Sequence, residues 1–454
     1  MKAMLQRLFN VRRDEVLPVF LAVVFFFCVL VALMILRPAR EALGLRGGID
    51  AVRWLFMGTA LITLLVNPVF GLLVSRLPRL HFITATYAFF ACSLVGFYLL
   101  LVLAPEAIGV VSGQLFYVWF SVFNLFATMV FWALMADRFS LEQGKRFFGL
   151  IAVGGTLGAI AGPWLASRLA APLGTPALLL LSSAFLLGAL GAAWGIARCQ
   201  RAPVAAGPRV EGTSDDELAP AVDERELIGG SAWEGVRAVC RSRYLLGMAA
   251  YVVILAIMAT FLYFIRLQMV AELGDDLDLR TTVFARIDLI TQIATLLLQA
   301  LVAGRLMQRV GVSITLALLP LTTALGFIGL ALVGSLAALI AFEALFRAVQ
   351  RALMRPARET LYTVTSREDK YKSKAFIDTF VYRAGDVVGA QLEGLLGRLG
   401  MGLAALASVA IPLALAWAAL ALWLGRTQQR IAAAGGAPAR AVHPTTTRLR
   451  RSST

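Results

Sequence analysis

Apolar residues dominate this chain in long runs, broken by short polar punctuation. Twelve such stretches lie near residues 16–36, 52–75, 81–103, 108–136, 146–170, 176–197, 244–265, 281–304, 312–334, 336–362, 376–397 and 402–424. About 20 apolar residues suffice for a helix to cross the hydrocarbon of a bilayer. The runs are long and lack the period-two alternation of a transmembrane barrel, so helices are expected. The pattern predicts an all-α membrane protein with twelve transmembrane helices in two pseudo-symmetric halves. The halves cover 1–197 and 244–425, joined by a polar linker over 198–243 and followed by a tail over 426–454. The tail is rich in Ala, Gly, Thr and Arg and reads as disordered. Near the end of the linker, Trp233 and Val236 fall on one side and Arg237 and Arg241 on another. That segment reads either as a short helix lying on the membrane face or as solvated linker. The first stretch is too long for a signal peptide and runs into Arg37-Pro38 rather than a small-residue cleavage site.

Composition sharpens this picture. Of 454 residues, 59% are hydrophobic and 15% charged, against roughly 25% charged in soluble proteins. The net charge of +15 would fit a nucleic-acid binder, but its placement is that of a membrane topology. Arg and Lys gather at Lys2, Arg7, Arg12 and Arg13, at Arg76–Arg79, Lys145–Arg146, Arg305–Arg309 and Arg367–Lys374, and in the tail. Intervening loops, such as Asp275-Asp276-Leu277-Asp278, are acidic or neutral. The positive-inside rule then places both termini and the linker in the cytoplasm, as expected of a bacterial inner-membrane protein. Cys28, Cys92, Cys199 and Cys240 show no metal or redox spacing, and His81 and His443 stand alone. No metal site, cofactor or nucleotide-hydrolysis motif is legible. The chain reads as a carrier rather than an enzyme, and as a monomer.

Charged residues inside the apolar stretches carry the candidate chemistry. The string R-P-A-R-E occurs at Arg37–Glu41 and again at Arg355–Glu359, at the ends of the first and tenth stretches. The tenth stretch holds Glu343, Arg347, Arg351, Arg355, Arg358 and Glu359. At about 100° per residue, all but Glu359 share a face roughly 120° wide. An arginine at mid-membrane costs at least about 2.5 kcal/mol and almost always faces a bundle interior or a water-filled cavity. The structural alternative is an internal ion-pair ladder, since Glu343 and Arg347 are four apart. Arginine binds phosphate or carboxylate oxygens bidentately and stays charged at any working pH. Candidate anion-binding residues are therefore Arg37, Arg40, Asn124, Arg286, Arg347, Arg351, Arg355, Arg358 and Arg383. Glu41, Asp288, Glu343, Glu359, Asp378 and Asp386 are candidate charge partners or proton carriers. Phe116, Tyr117, Trp119, Phe120 and Phe123 read first as packing and second as a platform for a base. Small residues recur every four positions at Gly154, Gly158 and Gly162, and at Gly385 and Gly389, a spacing that lets helix backbones approach closely.

Two resemblances follow from particular residues. Gly71 precedes Arg76, and Gly304 precedes Arg309, across matched short loops. This resembles the G-x-L-x-D-R-x-G-R-R loop of the major facilitator superfamily, with Ser75 and Gln308 standing where that family has Asp. In addition, I-L-R-P-A-R-E (Ile35–Glu41), F-W-A-L-M-A-D-R-F-S-L-E-Q-G-K-R-F-F-G-L (Phe131–Leu150), S-A-W-E-G-V-R (Ser231–Arg237) and R-P-A-R-E-T-L-Y (Arg355–Tyr362) with K-S-K-A-F-I-D (Lys372–Asp378) resemble segments of the ATP/ADP translocases of intracellular bacteria and plastids. That resemblance implies a nucleotide carrier in which Arg37 and Arg40 help recognise phosphate. It also implies acidic residues in the fourth and seventh helices and a basic one in the eleventh. Here Phe120–Phe123, Ala256–Thr260 and Asp386 occupy those regions.

The expected function is alternating-access transport, with exchange of nucleotides or another organic phosphate across the bilayer. The rival is proton-coupled movement of another organic anion or a drug-like solute, with Asp288 or Asp386 carrying the proton. A membrane sensor or assembly factor is a third class, disfavoured by the paired loops and the charged tenth stretch. The topology makes a direct prediction. Alkaline phosphatase fused after residue 210 or at the C-terminus stays inactive, whereas fusion within 275–278 gives active enzyme; the reverse pattern overturns the orientation.

Overall fold

The computed structural model describes residues 15–76, 79–103, 106–199, 232–400 and 402–435. The basic N-terminus, linker residues 200–231 and the tail from 436 lie outside them, as do the side-chain surroundings of Gly71, Arg76 and Gly304. The first half contains α1 (Val16–Leu45), α2 (Ile49–Arg76), α3 (Arg79–Leu103), α4 (Glu106–Arg138), α5 (Leu141–Leu173) and α6 (Thr175–Arg198). The second contains α7 (Arg243–Ala271), α8 (Leu277–Leu298, continued by a π turn over Gln299–Ala303) and α9 (Gly304–Val333). It goes on through α10 (Leu336–Val349, a π turn over Gln350–Met354, then Arg355–Leu361), α11 (Arg367–Phe376, a π turn over Ile377–Val381, then Tyr382–Arg398) and α12 (Leu403–Gly435). Nine of these helices are long and apolar enough to cross a membrane on composition alone. Among the others, α10 carries Glu343, Arg347, Arg351 and Arg355, and α11 carries Asp378, Arg383 and Asp386.

Each half has its own apolar core. One draws on α1, α3, α4, α5 and α6, the other on α7, α9, α10, α11 and α12. Lipid gives apolar helices no hydrophobic reason to associate, so close packing must do it. The glycine stripes supply that packing in corresponding pairs. A Cβ at Gly158 of α5 would stand 2.5 Å from the Phe27 carbonyl of α1. One at Gly385 of α11 would stand 2.7 Å from the Ala256 Cβ of α7. The far ends of the halves, where α1 terminates, are joined by a mixed cluster including Leu45, Val52, Tyr263, Phe264, Phe284 and Ala390.

Several helices outrun their apolar stretches. The first R-P-A-R-E does not end α1, because Pro38 lies inside the helix, which continues to Leu45. One missing proline N–H is tolerated where neighbouring helices enclose the backbone. The second copy follows a π turn. Pro356 would clash with the carbonyl four residues back, and the wide turn relieves this, with the Arg355 N–H donating to the Gln350 carbonyl five residues back. Helix α12 continues about ten residues into the presumed tail, anchored where Gln428 Nε2 donates to the Thr360 carbonyl at 2.7 Å. Gly311, at φ 76°, breaks the direction of α9 just after Arg309. The segment before α7 is a short helix, Ala232–Arg241, that tucks Val239 into the second core and leaves Arg237 and Arg241 exposed. The α1–α5 contact is testable. Gly158→Ala lowers the thermal midpoint in detergent by an amount equivalent to about 1–3 kcal/mol, while Gly191→Ala, which meets nothing within 4 Å, leaves it unchanged.

Candidate functional site

Five helices bring charge to one place between the halves. Helix α1 supplies Arg37, Arg40 and Glu41; α4 supplies Tyr117; α7 supplies Tyr263 and Arg266; α8 supplies Asp288; α10 supplies Glu343 and Arg347. Arg266 is the hub. It is 1% exposed, with Nη1 at 3.1 Å from Glu343 Oε1 and 3.9 Å from Asp288 Oδ1, and Nη2 at 3.7 Å from Glu41 Oε1. Arg37 Nε approaches the other oxygen of Asp288 at 3.6 Å. Arg347 Nε shares Glu343 Oε1 at 2.9 Å, four residues along α10. Arg40 Nη1 reaches Glu41 Oε1 at 3.3 Å, and its guanidinium lies 3.8 Å from the centre of the Tyr117 ring. The Tyr263 hydroxyl donates to Glu41 Oε2 at 2.6 Å and lies 2.8 Å from the Tyr117 hydroxyl.

Charge does not balance within this cluster. Arg37, Arg40, Arg266 and Arg347 share Glu41, Asp288 and Glu343. Next along α10, Arg351 donates to Gln292 Oε1 at 2.7 Å, a neutral partner. Arg37, Arg347 and Arg355 all lie near enough to repel it. Among the described residues, no carboxylate lies within 4.0 Å of Arg351 or Arg355. Arg355 is exposed, whereas Arg351 is half-buried, and a cation held away from water without a carboxylate is costly. The arrangement therefore favours an added anion.

The other expected residues divide clearly. Arg358 Nη2 pairs with Asp378 Oδ1 at 3.0 Å, and Glu359 Oε2 with Lys374 Nζ at 2.5 Å, both tying α10 to α11. Arg383 pairs with Asp386 Oδ2 at 3.3 Å within α11, and Asp386 also accepts from Thr260 of α7 at 3.5 Å. Arg286 is exposed and stands about 160° round α8 from Asp288, so it does not join the cluster. Asn124 is exposed, seven residues after Tyr117 and hence on the same face of α4. Arg309 is exposed beside the Gly311 turn. Phe116, Trp119, Phe120 and Phe123 stack with one another and with Phe90 and Phe97 inside the first core, as packing residues.

Sequence reasoning missed Arg266, Arg53 and Gln292. An apolar run over 244–265 stops one residue short of Arg266, although Leu267, Met269, Val270 and Ala271 continue the helix beyond it. Arg53 bridges the halves on their far side, with Nη2 at 2.7 Å from Glu393 Oε2 of α11. Gln268 of α7 donates to the other Glu393 oxygen at 2.6 Å. Nearby, the Thr175 N–H donates to Asp278 Oδ1 at 2.6 Å.

No family model and no curated protein matches the chain. Solved structures do. A bacterial homologue of the human lysosomal transporter Spinster, in an inward-facing and unoccupied conformation, aligns with TM-score 0.59 and 12% identity over 92% of this chain and 98% of that one. An auto-inhibited peptide transporter of the POT family gives 0.58 and 13% over 92% and 96%. The nucleoside transporter NupG gives 0.55 and 12% over 91% and 99%. The chain has the all-α, major facilitator-type fold of these membrane proteins.

The hub makes a stability prediction. Arg266→Met leaves three carboxylates short of their shared cation and is expected to cost about 3–5 kcal/mol, read as a lowered unfolding midpoint in detergent. Arg286→Gln leaves the midpoint unchanged. Equal effects of the two substitutions overturn the assignment of Arg266 as hub.

Proposed function

We propose that the chain is a secondary carrier of an organic anion, working by alternating access of the two halves around the arginine cluster. The observation that carries this reading is the surplus of arginine at Arg351 and Arg355, which have no carboxylate within 4.0 Å among the described residues. A purely structural ladder would balance its charges, as Arg358–Asp378 and Lys374–Glu359 do on the same helix pair. The fold shared with transporters of nucleosides and peptides supports movement of a small molecule. Arginine, and the resemblance of both R-P-A-R-E segments to nucleotide translocases, favour phosphate oxygens as the recognised group. Nucleotides or another organic phosphate, moved by exchange, are the leading cargo. Bridges gathered on the far side, such as Arg53–Glu393 and Thr175–Asp278, fit a conformation closed there. The basic loops then put the opposite side in the cytoplasm of a bacterial inner membrane.

A second reading rests on Asp386. It is buried, and its partners are the half-exposed Arg383 and the buried Thr260 rather than the hub. That isolation suits a proton carrier for a coupled anion symporter. Asp288, held between Arg37 and Arg266, suits it less.

Uptake of labelled ADP or ATP into proteoliposomes preloaded with unlabelled nucleotide tests both. Exchange is expected in the preloaded vesicles, insensitive to an uncoupler, and Arg351→Gln should reduce it about tenfold or more with membrane insertion intact. Undiminished exchange in that variant sinks the arginine site. Collapse on adding an uncoupler, together with loss in Asp386→Asn, supports the coupled reading.

A further inference from the structure

A cavity of about 450 Å³ lies between α7, α10 and α11, beside the second R-P-A-R-E segment. That is within the range of about 300–1,000 Å³ typical of small-molecule pockets. Its wall is of two kinds. Leu255 of α7, Met354 of α10 and the ring of Tyr382 of α11 make an apolar side. Charged groups make the other. Arg358 and Asp378 neutralise each other there, and Glu359 is taken by Lys374. Arg355 is the lining cation left over, exposed and without a carboxylate within 4.0 Å among the described residues.

The cavity adjoins the arginine cluster. Arg351 lies one turn back along α10, about 6 Å of rise, and Arg355 and Arg347 both lie within electrostatic reach of Tyr382. Arg351 lies within the π turn over Gln350–Met354 and Arg355 directly follows it, so the turn sets their directions. One extra residue in a turn rotates later side chains by about 100° relative to a continuous α-helix. A single ligand can therefore place charge at the arginines and an apolar ring against Tyr382.

We propose that this cavity seats the ring-sized organic body of the transported anion, with Arg355 and Arg351 holding its charged head. This rests on the carrier reading above and deepens it. It assigns the cargo to anions bearing a flat or apolar body, and it makes Leu255, Met354 and Tyr382 specificity-determining residues. Stacking of a base on an aromatic ring contributes about 1–3 kcal/mol, so the body, and not the charge alone, should set affinity.

The test compares two probes of similar charge on the purified full-length protein in detergent, by isothermal titration calorimetry. ADP carries a ringed body; inorganic pyrophosphate carries none. The unaltered protein should bind ADP more tightly than pyrophosphate. Leu255→Trp, which fills the cavity, should weaken ADP at least about tenfold and leave pyrophosphate unchanged. Tyr382→Leu, which removes the ring without crowding, should weaken ADP about fivefold or more and spare pyrophosphate. It stands in should the tryptophan variant not fold. Arg355→Gln should weaken both. Unchanged ADP binding in the two cavity variants, or equal loss of both probes, overturns the cavity assignment while leaving the anion carrier standing. Absence of binding by either probe to the unaltered protein overturns the carrier reading and this assignment together.

Discussion

A buried guanidinium must be matched by carboxylates, and Arg266 draws its matches from three helices. Glu41 comes from α1, Asp288 from α8 and Glu343 from α10. Because α1 belongs to one half and α7, α8 and α10 to the other, this one cation ties the halves at their meeting point. Lipid can solvate none of these groups, so the helices carrying them are constrained to converge. The apolar cores and the glycine contacts bring the helices into register. The charged cluster fixes which faces turn inward.

The two halves are built alike and used differently. Glycine stripes seat α5 on α1 and α11 on α7, corresponding pairs in each half. Yet the π turns over Gln299–Ala303, Gln350–Met354 and Ile377–Val381 all belong to the second half. The two R-P-A-R-E segments show the consequence. In α1 the string lies within an uninterrupted helix, and Arg40 is laid on Tyr117. In α10 a wide turn precedes it, Arg358 is spent on Asp378, and Arg355 faces a cavity. Identical residues thus acquire different roles from the backbone in front of them.

On the carrier reading proposed above, surplus charge is what would separate this site from a scaffold. Ion pairs such as Arg358–Asp378 hold α10 to α11 and leave no net charge. Arg351, resting on Gln292, does not close its account in the same way. On that reading, an anion that neutralises it would lower the energy of the state in which the halves enclose it. Alternating access needs that coupling between occupancy and closure.

The chain by itself determined the class of structure and several residues of the charged cluster. Long apolar runs fixed a helical membrane protein, the glycine spacing marked α5 and α11 as helices that pack closely, and the charged face of α10 marked Glu343 and Arg347, because each is a local property of period and composition. Tertiary structure decided which charges meet. Arg266 looks like a flanking residue until Leu267–Ala271 are seen to continue its helix. Arg286, a candidate anion-binding residue by sequence, is exposed and outside the cluster once α8 is placed. Arg53 gains meaning from Glu393, 340 residues away. Pairing in a low-dielectric interior depends on distance and direction between helices, and neither is written in the order of residues along one of them.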